Sequence, residues 1–291
     1  MDGELFKRLY KAAGAVASKA AGRRCTFSDF EVLLTFVIAA VANKPLSWAC
    51  RRPNRPLWCW RVNVPTPSTM SRRTRTRHFQ RLLVRLDAAL RAGLPGSSLK
   101  YLDGKPLLVA GHSRDRDARA GRAPGGWGKG YRFHAVVDAC GAVEAFAVTG
   151  LDAGEATVAR GVVLPACHDL RGALVVADGN FDSNNLYGSV RGAGGTLLAP
   201  RRKPGTGLGH GREQDPDRLR AIERLERTPG ALRQFKRLRL GVEQAFGLMT
   251  HPGLGALPPW VRRLRRVRMW AMAKVIVYHA HLLQQDEQRA A

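Results

Sequence analysis

Apolar positions in the first hundred residues recur with the spacing of a helix face. Phe30, Leu33, Leu34, Val37, Ile38 and Val41 fall mostly three or four apart. Ser28-x-x-Glu31 at their head is a capping box, in which each side chain satisfies the other residue's amide. Asn43-Lys44-Pro45 stops the helix, because the residue before a proline avoids the helical region. A short helix is predicted over Leu46–Arg51, then a loop punctuated by Pro53, Pro56, Pro65 and Pro67 that carries Trp58 and Trp60. Pro67–Arg73 opens a second long helix with Phe79, Leu82, Leu83, Leu86 and Leu90 on one face. Its first turns hold Arg72, Arg73, Arg75 and Arg77, which is a helix-turn-helix pattern. A helical bundle with a wet basic face gives the same pattern.

The period changes beyond Gly93-Leu94-Pro95-Gly96-Ser97-Ser98. Leu99–Ala110, Tyr131–Ala139 and Val143–Thr149 read as strands, the last two joined by a turn at Cys140-Gly141. A helix follows over Ala153–Cys167, a buried strand over Ala173–Asp178, a helix near Ser183–Arg191, a strand over Gly195–Pro200 and a long helix at about 230–249. The order β-β-β-α-β-α-β predicts an α/β class: a mixed sheet with helices on both faces, preceded by an all-helical region. Boundaries are expected at 1–98 for the helical region and 99–291 for the sheet domain with its C-terminal helix. The stretch 201–229, rich in Gly, Arg, Pro and Asp, reads as a mobile loop or short subdomain. Gly111–Gly130 is given no regular structure.

With 45% hydrophobic residues, a chain of 291 can bury a sizeable core. Its longest apolar run, Leu33–Ala42, is about half of what a bilayer needs, and Met1-Asp2-Gly3-Glu4 starts no signal peptide, so a cytoplasmic protein without a membrane partner is expected. The five cysteines are odd in number and form no C-x-x-C, which fits a reducing compartment; Cys50 and Cys59 are at most a zinc half-site. Charge changes the picture most. Lys and Arg number 48 against 23 Asp and Glu, a net of +25 that calls for a polyanionic partner, nucleic acid first. The excess is uneven: +13 over residues 1–98, +1 over 99–200, +11 over 201–268 and 0 beyond. Solvated arginine faces account for many arginines but not for the missing acids outside the middle.

Three carboxylates adjoin apolar segments at that middle and just after it. Asp103 lies near the start of the first strand, Asp178 ends the strand Ala173–Asp178, and Glu243 lies on the long helix whose stripe is Phe235, Leu238, Val242, Phe246 and Met249. Three such groups brought together repel unless a cation binds. Hard oxygens suit Mg²⁺ or Mn²⁺, and a pair of ions suits phosphodiester chemistry. Equally, Asp is common at strand ends, and Glu243 can pair with Arg239 one turn earlier.

The same residues carry a family resemblance. Leu102-Asp103-Gly104-Lys105-Pro106-Leu107, Val176-Ala177-Asp178-Gly179-Asn180-Phe181 and Arg239-x₃-Glu243-Gln244-Ala245-Phe246-Gly247 resemble, in order, three motifs of the DDE transposases of bacterial insertion sequences. The catalytic domain of that family resembles ribonuclease H. Ser113–Arg119 and Gly128–His134 are similar to stretches that follow the first motif in close relatives, and Pro67–Arg73 to the start of the DNA-binding helix. The family's Tyr before the Arg and Lys after the Glu are here Lys236 and Thr250, which lack the usual hold on a phosphate and a flipped base.

The resemblance implies Asp103, Asp178 and Glu243 as catalytic ligands of two Mg²⁺ or Mn²⁺ ions. It implies cutting and joining of double-stranded DNA, at terminal inverted repeats and in target DNA, by a homodimer that associates with the nucleoid. Arg72, Arg73, Arg75, Arg239, Arg262, Arg263, Arg265 and Arg266 are then the DNA contacts. A ribonuclease-H-like nuclease without strand transfer and a non-enzymatic DNA-binding derivative are the alternatives. His134 is either a phosphate contact or a satisfied core histidine. Asp138, Asp152, Glu155 and Asp182 are reserve carboxylates, Asp182 expected to cap the next helix. His279 and His281, two apart on a helix, do not face each other and make no metal site.

Overall fold

Residues 3–18, 26–203, 205–208, 213–249 and 257–290 are described in the computed structural model. They form two units. One holds the residues up to Leu94 and from Met269 on, and the other the described residues between Pro95 and Arg268.

The first unit opens with α1 (Gly3–Ser18), α2 (Asp29–Val41) and α3 (Leu46–Ala49), followed by two 3₁₀ turns and then α4 (Pro67–Arg73) and α5 (Arg77–Arg91). The capping box at Ser28 forms as the spacing predicts. Pro67 does not open one long helix. The Thr74 hydroxyl turns back to donate to the Met70 carbonyl at 2.7 Å, and Thr76 starts a new helix by accepting from the Phe79 amide at 3.1 Å. The two threonines thus offer the backbone local partners that compete with helix continuation. The Cys50 and Cys59 thiols each donate to a nearby carbonyl, of Leu46 and Pro56, and pack with apolar neighbours.

The second unit is a six-stranded sheet of β1 (Leu99–Leu108), β2 (Arg119–Ala123), β3 (Gly126–Asp138), β4 (Val143–Gly150), β5 (Leu174–Ala177) and β6 (Thr196–Leu198). Its order is β2-β3-β1-β5-β6, with β4 also on β3. β1 runs antiparallel to β3 and parallel to β5, so the sheet is mixed, as expected. The helices are α6 (Glu155–Val158), α7 (Asn184–Gly192), α8 (Pro216–Arg227) and α9 (Ala231–Met249).

Three local expectations change. Gly111–Gly130 is not irregular: it contains β2 and the start of β3. Four of its residues from Gly121 to Gly130 that lie in those strands are glycines, which carry no apolar alternation, so only main-chain pairing reveals the hairpin. The stretch 201–229 contains α8, whose N-cap Asp215 and first-turn Pro216 are ordinary start signals ahead of buried Ile222 and Leu225. The helix over Ala153–Cys167 is one α turn that widens into a π turn at Ala159–Val163 and tightens at Leu164–Ala166, where Pro165 removes an amide donor.

The last helix, α10 (Leu264–Ala290), has its first turn in the sheet unit. From Met269 onward its buried Ala273, Ile276, Val277 and Ala280 join the core of Leu9, Leu33, Val37, Phe79 and Leu86. The expected 99–291 domain therefore differs from the packing, which assigns the end of the chain to the helical unit. The reason is apolar surface: the N-terminal helices bury their stripes against it. Among the described residues no helix is long and apolar enough to cross a membrane.

Candidate active site

The site is built by register. Leu102 on β1 pairs in parallel with Ala177 on β5, so the next residues are neighbours: Asp103, still within β1, and Asp178, just past the end of β5. Neighbouring strands lie about 4.8 Å apart. Strand alternation puts Tyr101, Asp103 and Lys105 on the face that α9 covers. There Gly241 lets the helix close onto Tyr101, whose hydroxyl a Cβ would strike, and Phe246 meets Phe133 edge to face at 6.3 Å. Lys105 Nζ donates to the Phe246 carbonyl at 3.5 Å.

That seating delivers Arg239 to both carboxylates. Its Nη2 lies 3.7 Å from Asp103 Oδ2 and its Nη1 lies 3.8 Å from Asp178 Oδ2. Asp103 Oδ1 also accepts from the Gly104 amide at 2.8 Å, and Asp178 Oδ1 from the Asn180 amide at 2.8 Å. Burial pushes Asp103 up to about 6; the Gly104 hydrogen bond and Arg239 oppose this, and the Asp178 charge adds to it.

Glu155, at the start of α6, comes from the other face. It pairs with Arg132 at 2.6 Å, and a Cβ on Gly104 would lie 2.8 Å from its Oε1. Burial raises its pKa, Arg132 lowers it, and the charges of Asp178 and Asp103 raise it further. Glu243 sits one turn beyond Arg239 on α9 and is exposed. Among the described residues no three His, Cys, Asp or Glu side chains stand in an arrangement that could hold a metal. The structure thus brings Asp103, Asp178 and Arg239 together and adds Glu155, while Glu243 lies beyond Arg239. Asp103 and Asp178 offer hard oxygens of the kind a divalent cation takes, and Arg239 supplies their counter-charge here.

The predicted DNA arginines divide. Arg72 and Arg75 are exposed, whereas Arg73 pairs with Asp29 and donates to the Phe27 carbonyl at 3.0 Å. Arg262, Arg265 and Arg266 are exposed at the start of α10. Arg263 instead holds the fold together. Asp115 Oδ2 accepts from its amide at 2.9 Å, and Asp117 Oδ1 pairs with its guanidinium at 3.2 Å. Asp117 also accepts from the Leu264 amide, so these two acids cap α10 from afar. Sequence reasoning missed that role, since the cap lies more than a hundred residues away.

The remaining candidates are structural. His134 is fully buried, with Nε2 at 2.9 Å from Thr149 Oγ1. Burial, and then the Arg132 charge, push it down to about 4. Asp182 does not cap α7, whose N-cap is Ser183; Arg218 takes Asp182 in a two-pronged pair at 2.6 and 2.8 Å. Asp138 accepts from the Ala142 amide and closes the β3–β4 turn, and His279 pairs with Asp87.

A family model described as the transposase DDE domain matches residues 95–279. No curated protein sequence matches the chain. Among solved structures, the fold is similar to that of a piggyBac transposase synaptic complex with hairpin DNA, seen by cryo-electron microscopy. The TM-score is 0.50 at 11% identity, over 97% of this chain and 72% of that one. At that identity the likeness concerns the fold alone.

Proposed function

This chain belongs to the transposase DDE domain family, with the function of a DNA transposase, and on that premise we propose that it cuts and joins DNA ends at Asp103 and Asp178, with Glu243 as the third carboxylate. The observation that carries this reading is the pair of aspartates at neighbouring positions, one within β1 and one just past β5, both facing Arg239. Both aspartates, with Glu243, supply hard oxygens for the divalent metal typical of the family, Mg²⁺ or Mn²⁺ as two ions, which when bound activates an attacking oxygen and stabilises the leaving one. Arg239 is placed to hold a non-bridging phosphate oxygen at the same spot. In the first reaction a water oxygen bonds to phosphorus at the element end and the 3′ oxygen leaves with a proton. In the second, that 3′ hydroxyl bonds to a target phosphorus and displaces the target's own 3′ oxygen.

The partner is double-stranded DNA, as terminal inverted repeats and as target, held by a homodimer at the nucleoid. The helical region reads the repeat, with exposed Arg72 near the end of α4 and exposed Arg75 in the turn that follows. Arg262, Arg265 and Arg266 grip phosphates without reading sequence, because the DNA backbone carries none. The test is Asp178→Asn on end-labelled repeat DNA: cleavage is lost and binding is kept. Joined products in a plasmid target distinguish the transposase from a nuclease that only cuts.

A further inference from the structure

The tip of the β2–β3 hairpin carries none of the site's carboxylates, yet it holds the most exposed tryptophan among the described residues. Trp127 is 79% exposed. It lies just past the two-residue turn Pro124-Gly125, where Gly125 at φ +83° and Gly126 at φ +133° hold conformations that side-chain-bearing residues avoid. The base of the hairpin is fixed. Gly130 lies so close to β1 that a Cβ would strike the Leu107 carbonyl, and Lys129 Nζ donates to the Ser113 carbonyl at 2.9 Å. Trp127 pairs with Arg122 across the hairpin, so an indole and a guanidinium stand on one face of a rigid tip. Arg119 and Arg116 are exposed nearby, while the acids Asp115 and Asp117 are engaged at the start of α10. A single exposed aromatic needs no explanation by itself. One on a stiff, basic, glycine-flanked tip has the two parts of a base-stacking contact: a flat apolar surface and a cation for the adjoining phosphate.

We propose that this hairpin is a DNA wedge, in which Trp127 stacks on a base freed from its pair and Arg122 holds the neighbouring phosphate. This rests on the transposase reading above. Arg132 joins the two places, since its Nη1 pairs with Glu155 beside the aspartates and its Nη2 donates to the Arg122 carbonyl at 2.6 Å. Ala135 faces Asp103 across β1 and β3, and Trp127 lies eight residues earlier on the same strand. At strand rise that is about 27 Å, or about eight nucleotide steps along a DNA strand. The stacked base is therefore expected about that far from the cut phosphate.

The experiment uses the full chain and two fluorescent duplexes that differ only by one unpaired adenine about eight nucleotides from the cleavage site. Wild-type protein should prefer the unpaired-base duplex by about tenfold. Trp127→Ala should remove that preference, Trp127→Phe should keep most of it, and Arg122→Ala should weaken both duplexes alike. Trp127 faces solvent, so these variants fold, and equal binding of the fully paired duplex by Trp127→Ala and wild type shows it. A preference that survives Trp127→Ala, or no preference in the wild type, overturns the wedge and leaves the transposase reading standing. Failure of the wild type to bind either duplex overturns both.

Discussion

The helical unit and the sheet unit both pair most of their acids with nearby bases, as Asp182 with Arg218 in the sheet unit, and they differ at one place. In the helical unit acids are consumed by nearby bases: Asp29 takes both Arg73 and His78, and Asp87 takes His279. In the sheet unit two aspartates that are 75 residues apart in sequence are set side by side, and the nearest cation stands 3.7 to 3.8 Å away. A satisfied pair fixes a scaffold, whereas crowded like charges hold free energy that a ligand can release. The comparison teaches where each arginine belongs. Those with acid partners, Arg73 and Arg263, hold the protein together; exposed ones such as Arg72, Arg262 and Arg266 are available to a polyanion.

The largest effect expected is on chemistry. Asp178→Asn should lower strand cleavage by about a thousandfold while end binding changes little. Equal loss of both would make the aspartate pair another scaffold and erase the contrast between the units. Glu155→Gln sharpens the same point: acting through Arg132, it should cost less cleavage than Glu243→Gln, and the reverse ranking would transfer the third carboxylate to α6.

Two stability measurements follow, one for each unit. His134 in the sheet unit is held near 4, below its unfolded value of about 6.5. As pH falls from 6.5 toward 4 the unfolded chain takes up a proton that the folded unit refuses, so stability falls by up to about 3 kcal/mol. Asp103, raised to about 6, contributes with the opposite sign over the same range, so the His134 part is read as the difference between the urea-unfolding pH profiles of wild type and His134→Gln.

In the helical unit the buried Lys274, whose Nζ donates to the Ala40 carbonyl at 2.8 Å, is lowered by burial to about 8. Below pH 8 the folded unit carries a costly buried charge. From pH 8 to 10.5 that cost is relieved and stability rises, again by up to about 3 kcal/mol. Lys274→Met should remove the alkaline slope and leave the acid one untouched. If both slopes vanish together in either variant, the units do not respond independently.

The smallest effect concerns the exposed arginines. Replacing Arg262, Arg265 and Arg266 by Ala should weaken all duplexes about equally and reduce the log–log salt slope by about 2 to 3. Arg72→Ala with Arg75→Ala should instead reduce discrimination between repeat and scrambled DNA, as read by competition binding. Arg73→Ala belongs with neither: it should lower the melting temperature of the helical unit.

The chain's own pattern determined the classes of element and the residues worth watching. Apolar periodicity placed α2, α5 and α9, and the capping box placed the start of α2, because these depend on neighbours within a turn or two. Asp103 and Asp178 were legible for the same reason, one within and one just after an apolar strand, and the Arg-x₃-Glu spacing drew attention to Arg239. Only the tertiary structure decided what those residues face. The parallel register of β1 and β5 made neighbours of the aspartates, and the seating of α9 on Tyr101 gave Arg239 to both. Glu155 entered over a glycine from the opposite face, and Asp115 and Asp117 were spent on the amides of α10. The glycine-rich hairpin could not be read at all, since its strands are held by main-chain pairing and carry almost no side-chain period. Local spacing encodes what a segment becomes; which segments meet is settled by shared burial and main-chain pairing across the fold, and these leave no mark at any single position.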